Sequence, residues 1–397
     1  AHNNLGTVLQ EQGKLEAAIE SYKQALNIQP NYAQAHYNLG EIFLKQGKLE
    51  AARESYQQAL NIKPDSAQAY HNLGNVLKLQ GKLEAAIKSY QQAINLNPNS
   101  TEAHHNLGNT LYEQGKLEAA IESYHQALRI NPEFEPAKFG IVIGQLPMIY
   151  TSFAEINNQR NHYQQHLQDL AQSYKNATKS IKNPMDAVGS LQPFYLAYQG
   201  RNDRDLQQIY GEMVVQIMSS CYPQYSQSIA LPDFKLNQKI RVGFVSGFFS
   251  NHSNWKIPIK GWVEKLDRNK FELYGYHTGL KEDRETGKAA QAFGKFVQGM
   301  RSVEQWCEVI RQDKLHILIF PEFGMDSMTI KLGCLRLAAI QMTSWGHPNT
   351  SGLPTIDFYL SGDLMESENA QEFYTEKLVR LPNLAVYYTP LAIQPRS

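Results

Sequence analysis

The triplet Asn-Leu-Gly occurs at residues 4–6, 38–40, 72–74 and 106–108, always 34 residues apart. The rest of a pattern recurs with it, Gly47-Lys48-Leu49-Glu50-Ala51-Ala52 followed by Tyr56, Ala59 and Pro64. Small residues at Gly40, Ala52 and Ala59 let paired helices approach closely, and Leu39, Phe43, Tyr56 and Leu60 fill the gaps between them. Pro64 ends the second helix of its pair because it has no N–H to donate. A period of this length therefore commits the first third of the chain to stacked helical hairpins, each burying its apolar face against the next.

This pattern resembles the tetratricopeptide (TPR) repeat. Aligned on Pro30, Pro64 and Pro98, the first copy starts two residues late, and residue 1 is Ala. The chain is thus expected to be part of a longer protein with further repeats upstream, so nothing at this end reads as a signal peptide. Residues 1–134 are expected to form four repeats, as eight antiparallel helices with the first one shortened.

Lys and Arg total 38 and so do Asp and Glu, so net charge is zero. Neither part is skewed: residues 1–134 hold 11 basic and 13 acidic groups, leaving 27 and 25. That balance argues against a nucleic-acid partner, whose binding needs clustered Lys and Arg. Cys221, Cys307 and Cys334 lie far apart without metal-ligand spacing, which fits a reducing, cytosolic setting. The most apolar stretch, Phe139 to Tyr150, is broken by Gln145 and Pro147 and is too short to span a bilayer. No membrane association is expected.

After Pro132 the repeat decays into residues 135–238, read as a helical capping and connecting region. From Lys239 the period changes. Apolar runs at 240–246, 271–277, 315–320, 340–344 and 356–360 read as strands, separated by helical stretches at 255–266, 288–293, 303–312 and 328–337. Alternation of this kind makes a parallel sheet with helices on both faces, a Rossmann-like lobe over 239–397. Ligands bind such sheets at the carboxyl ends of the strands. The loops there hold His252, the Pro321–Asp326 segment, and Trp345 to Gly352 with His347, Thr350, Ser351 and Gly352. A histidine on such a loop serves as general base or ligand, or as a capping residue. A Gly, Ser and Thr cluster presents N–H groups to a phosphate, or simply turns.

The order R-V-G-F-V-S-x-x-F-x-x-H, then Q-D-x-x-H-I-L, then A-x-I-Q-x-x-x-W-G-H-P-x-T-S-G-x-x-x-I-D, following TPR repeats, resembles the protein O-GlcNAc transferase family, most closely its bacterial SPINDLY-type branch. The resemblance covers the repeats and residues 239–390. It implies an α plus α/β architecture, a TPR superhelix followed by the first Rossmann-like lobe of a GT-B glycosyltransferase, with the second lobe absent and the isolated chain inactive. It implies inverting transfer of N-acetylglucosamine from UDP-GlcNAc to Ser or Thr of proteins, with no metal and no further cofactor. His252 matches the family's base or donor-contacting group, although Ser253 follows it where many eukaryotic relatives have Pro. His316 and Asp313 match the family's Q-D-x-x-H-I-L segment, while a buried histidine bonded to backbone or to Asp313 explains them equally well. His347, Thr350, Ser351 and Gly352 match a segment lining the cleft between lobes. Asn4, Asn38, Asn72 and Asn106 match asparagines that line the concave face and bond the backbone of a protein or peptide acceptor; the alternative is that they bond neighbouring helices or water. The alternatives are fucosyl or Asn-glucosyl transfer, or a non-catalytic peptide-docking scaffold.

Overall fold

Every repeat turns into a helical hairpin through one contact between a glycine and a tyrosine. In the computed structural model, which describes residues 1–176, 183–232, 238–346 and 349–387, Tyr22, Tyr56, Tyr90 and Tyr124 are fully buried. Each ring lies on the glycine of its own repeat's Asn-Leu-Gly. A Cβ at Gly6, Gly40, Gly74 or Gly108 would stand 2.5–2.7 Å from the ring, closer than packed atoms sit. The hairpins are α1 (His2–Glu11) with α2 (Leu15–Ile28), α3 (Ala33–Lys45) with α4 (Leu49–Ile62), α5 (Ala67–Leu79) with α6 (Leu83–Leu96), and α7 (Thr101–Glu113) with α8 (Leu117–Ile130). Helix α1 has 10 residues where α3, α5 and α7 have 13. Helix α9 (Glu135–Ile143) continues the stack, and Gly140 meets the far side of the Tyr124 ring.

The last repeat buries a histidine. His105 lies against Tyr124 and Phe134, accepts from the Asn109 amide at 3.0 Å, and has its pKa pushed down to about 4, chiefly by burial and then by the charge of Lys78. Because the folded value lies below the ordinary ~6.5, the unfolded chain binds the proton more readily. This contribution is therefore intact above pH ~6.5 and is lost as the pH falls toward the folded value. Denaturation of the wild type should lose about 2–3 kcal/mol more between pH 7 and pH 4.5 than denaturation of His105→Phe, which keeps the ring and loses the proton site. Equal acid slopes would show that His105 does not set this dependence.

The chain divides into two compact units, residues 1–147 and residues from Met148 onward, so the division falls inside 135–238. The second unit holds α10 (Phe153–Lys175), α11 (Arg204–Cys221) and a sheet of seven parallel strands. In chain order these elements are β1 (Ile240–Ser246), α12 (Lys260–Lys265), β2 (Phe271–His277), α13 (Arg284–Ala292), β3 (Lys295–Gln298), α14 (Val303–Gln312), β4 (Ile317–Phe320), α15 (Ser327–Gly333), β5 (Ile340–Ser344), β6 (Phe358–Gly362) and β7 (Lys377–Leu381). The spatial order is β3-β2-β1-β4-β5-β6-β7. β3 and β7, unforeseen in the sequence, are the outermost strands. Phe244, Phe249, Trp255, Val263 and Leu273 build the core on one face of β1 and β2. β1 pairs with both β2 and β4, so the order reverses between β1 and β4 and opens a crevice at their carboxyl ends.

Candidate functional site

Four polar groups converge on that crevice. β1 ends at Ser246, whose buried hydroxyl donates to Glu322 Oε1 at 2.9 Å and accepts from the Phe248 backbone N–H at 3.0 Å. Glu322 follows β4 by two residues and is wholly buried. Burial drives its pKa well above the usual carboxylate range, against the Ser246 hydroxyl, and the nearby Asp326 carboxylate adds to the rise. Its other oxygen, Oε2, has no hydrogen-bond partner among the described residues. Asp326 caps α15 by accepting from the Thr329 N–H at 2.7 Å, and it also accepts from the Thr278 hydroxyl at 3.1 Å. His277, at the end of β2, lies between the carbonyls of Ser246 and Lys281.

His252 stands in the loop that leaves β1, half buried, with its ring stacked on Phe248 at 4.3 Å between centroids. Its Nδ1 accepts from the Asn254 backbone N–H at 3.2 Å. In the neutral ring the proton therefore belongs on Nε2, which makes that atom a hydrogen-bond donor. Burial, and then the charge of Lys281, lower the His252 pKa and favour the neutral ring. This arrangement suits His252 to donate to a phosphate or sugar oxygen. To act as a base it must first release Asn254.

Residues 6–115 match the TPR repeat in three overlapping segments, residues 101–134 match the tetratricopeptide repeat again, and residues 212–388 match glycosyltransferase family 41. The chain is a TPR protein with a glycosyltransferase family 41 domain. It is 30% identical over 178 residues to the "probable UDP-N-acetylglucosamine–peptide N-acetylglucosaminyltransferase SPINDLY" of Solanum lycopersicum, an alignment covering 43% of this chain and 18% of that protein. It is 27% identical over 226 residues to the "UDP-glucose:protein N-beta-glucosyltransferase" of Actinobacillus pleuropneumoniae, covering 55% of this chain and 35% of that protein. The chain thus spans about a fifth of the length of its SPINDLY relatives. A solved Thermobaculum terrenum O-GlcNAc transferase mutant shares the fold, with a TM-score of 0.65 at 20% identity over 92% of this chain and 60% of that one.

Within the family 41 domain the expected site residues do not gather in one place. His316 precedes β4 at the amino edge of the sheet, opposite the loops that follow the strands. Its Nδ1 accepts from the Arg241 N–H at 3.0 Å, and its own N–H donates to the Arg241 carbonyl at 3.0 Å, which fixes the register of β4 on β1. Asp313 closes α14 and binds the Tyr276 hydroxyl at 2.7 Å and Lys295 at 2.7 Å. The structure thus places His316 in the pairing of β4 with β1 and Asp313 in an ion pair with Lys295, apart from the loop that carries His252.

Thr350, Ser351 and Gly352 are also occupied by the fold. The Ser351 N–H donates to buried Glu376 at 2.8 Å, both hydroxyls bond the same carboxylate, and Thr350 further meets Thr375 at 2.9 Å. Gly352 has φ +70 and lies so close to α11 that a Cβ would stand 2.0 Å from the Gln207 carbonyl oxygen. The Thr350 and Ser351 hydroxyls thus form a clasp on a buried carboxylate of the same chain. His347 lies outside the described residues. Beside the clasp, Arg201, Asp203, Asn349, Thr350, Glu366 and Tyr374 border a polar cleft of about 190 Å³.

In the repeats, the ladder asparagines bond backwards along the stack. Asn38 donates to Asn3 at 3.2 Å, Asn72 to the Tyr37 hydroxyl at 2.9 Å, and Asn106 to His71 at 2.9 Å, each partner standing 35 residues earlier. Asn38 is buried and also accepts from Gln34 at 2.8 Å, whereas Asn72 and Asn106 stay half exposed and Asn4 is exposed. Glu322, Ser246 and His277 were not singled out from the sequence. The available signal was a lone carboxylate two residues past a fully apolar strand. Among the described residues no group of three or more His, Cys, Asp or Glu is placed to hold a metal, and no helix is long and apolar enough to cross a membrane.

Proposed function

We propose that the chain belongs to an inverting protein glycosyltransferase that moves N-acetylglucosamine from UDP-GlcNAc to Ser or Thr of polypeptides held by the TPR repeats. The observation that carries this is the family 41 domain in one chain with the repeats. The acceptor oxygen attacks the anomeric carbon as the bond to the diphosphate breaks, and the hydroxyl proton passes to a base. Nε2–H of His252, on the loop that leaves β1 at the carboxyl edge of the sheet, is the group of this chain best placed to meet the donor. A cytoplasmic location accords with this function. Half-exposed Asn72 and Asn106, with Asn38 beside them, are the candidates for holding an extended acceptor backbone, since an amide both donates and accepts. Transfer of glucose to Asn is the second reading, supported by the 27% identical glucosyltransferase relative.

The full-length protein containing this chain should be supplied with UDP-GlcNAc, UDP-glucose and GDP-fucose in separate reactions with an unstructured polypeptide. Alkali-labile transfer from UDP-GlcNAc is the expected outcome. Alkali-stable transfer from UDP-glucose would install the second reading, and no transfer from any donor would leave a peptide-docking scaffold. In the same protein, changing Asn38, Asn72 and Asn106 together to Ala should weaken polypeptide binding at least tenfold, at ~0.5–1.5 kcal/mol for each net hydrogen bond. Unchanged affinity with a lower melting temperature would confine the ladder to joining repeats.

A further inference from the structure

The buried carboxyl of Glu322 has no place in sugar transfer as described so far, yet it sits where three strand-end loops meet. Ser246 and Gly247 leave β1 beside it. Gly346, following β5, lies so near that a Cβ there would stand 3.2 Å from the Glu322 Cβ. Pro321, its chain neighbour, accepts from the Gly346 N–H at 3.1 Å and from the Ser344 hydroxyl at 3.3 Å. From Glu322 an unbroken set of contacts runs to the loop that carries His252. The Ser246 hydroxyl bonds the carboxyl, the Phe248 N–H bonds that hydroxyl, and the Phe248 ring lies under the His252 ring. The turns between are tight: the Ser250 N–H reaches the Phe248 carbonyl, and the His252 N–H reaches the Ser250 carbonyl, each at 2.7 Å. On its other side the loop is tied by the Asn251 N–H to Asp283 at 2.8 Å.

We infer that Glu322 is a positioning residue, which through Ser246 and Phe248 holds the His252 ring in its half-buried place on the loop that leaves β1. The inference rests on the transfer reading above only for its consequence in catalysis. A chain of hydrogen bonds carries orientation without touching substrate, as the groups behind a ligating or catalytic histidine do. Ser246 has one proton to give and offers it to Glu322, so the Phe248 N–H finds a hydroxyl oxygen turned toward it. Without the carboxyl, that hydroxyl turns elsewhere and the tight loop loses its inner pin. The charge that acts on His252 is that of Lys281, from the segment between β2 and α13, while Asp283 of the same segment holds the neighbouring Asn251 N–H.

The test follows the His252 side chain by histidine-selective NMR in the 397-residue chain, with His252→Gln assigning its signal. Glu322→Gln keeps an acceptor for Ser246 and should leave the titration midpoint of His252 where it is in the wild type. Glu322→Ala and Ser246→Ala should each move it up, toward the ordinary ~6.5, as the ring gains water. The double variant should shift it no further than either alone, since both cut one connection. An unmoved midpoint in folded Ser246→Ala overturns the inference, whether or not Glu322→Ala folds. In the full-length protein, Ser246→Ala should lower kcat several-fold with little change in KM for the donor, and Glu322→Gln should not. If the wild type transfers no sugar, the transfer reading fails while the NMR arm still decides the relay.

Discussion

Replacing His252 by Ala in the full-length protein should reduce sugar transfer about 10²–10⁴-fold, the usual cost of removing a group that handles a proton or a developing charge at the reacting centre. Melting temperature should hardly change. The ring is half buried, and among the described residues its hydrogen-bond partner is the Asn254 backbone N–H, which the loop can hand to water. His316→Ala should do the reverse, because its Nδ1 is what the part-buried Arg241 N–H bonds at the edge of two strands. Leaving that donor unmet costs about 1–3 kcal/mol. A His252→Gln variant sharpens the assignment. If His252 works as a donor from Nε2, glutamine should restore part of the lost rate; if it works as a base, glutamine should restore none. Near-normal turnover in His252→Ala would remove it from the site altogether.

The largest loss of stability should come from Gly352→Ala. A left-handed backbone disfavours any Cβ by about 1–2 kcal/mol, and overlap with a packed backbone adds about 1–3 kcal/mol, so about 2–5 kcal/mol is expected in all. The Cβ would stand 2.0 Å from the Gln207 carbonyl oxygen, on a helix that cannot slide away. Gly211, across the same contact, should behave likewise, since its Cβ would stand 2.0 Å from the Gly352 carbonyl oxygen. Gly200→Ala is the control. Gly200 is also left-handed, with φ +63, but nothing lies within 4 Å of its added Cβ, so only the backbone term of about 1–2 kcal/mol applies. Chemical denaturation of the three variants should rank them in that order. A Gly352→Ala protein as stable as Gly200→Ala would show that the loop is not seated on α11.

The helical repeats were legible because their determinants are local. Gly40 and Tyr56 lie 16 residues apart, and the same pair returns every 34 residues, so one pattern states both the contact and its repetition. Strands β1, β2, β4 and β5 were legible as apolar runs because both of their faces are covered. β3 and β7 were not. They are the outer strands, β3 is only four residues long, and Lys295, Lys377 and Arg380 interrupt their pattern, as edges exposed to water allow. The carboxyl edge of the sheet could also be located from the alternation of strands and helices, and with it the loop that carries His252.

What each polar residue does at that edge was decided only by tertiary structure. A Thr-Ser-Gly run looks the same whether it meets a phosphate or a carboxylate of its own chain. Here the carboxylate is Glu376, some 25 residues further on, brought alongside by the pairing of β6 with β7. His316 and His252 are both histidines near strand ends, yet one precedes its strand and the other follows. Which end faces the crevice depends on the parallel register of β1 and β4. Glu322 became visible as a hub only once β1, β4 and β5 lay side by side. The sequence by itself determined the repeat stack and the class of the sheet, because helix period and strand alternation are properties of neighbouring residues. Tertiary structure alone decided which polar side chains remain open to a ligand, because a hydroxyl or an imidazole is taken or left free by partners far away in the chain.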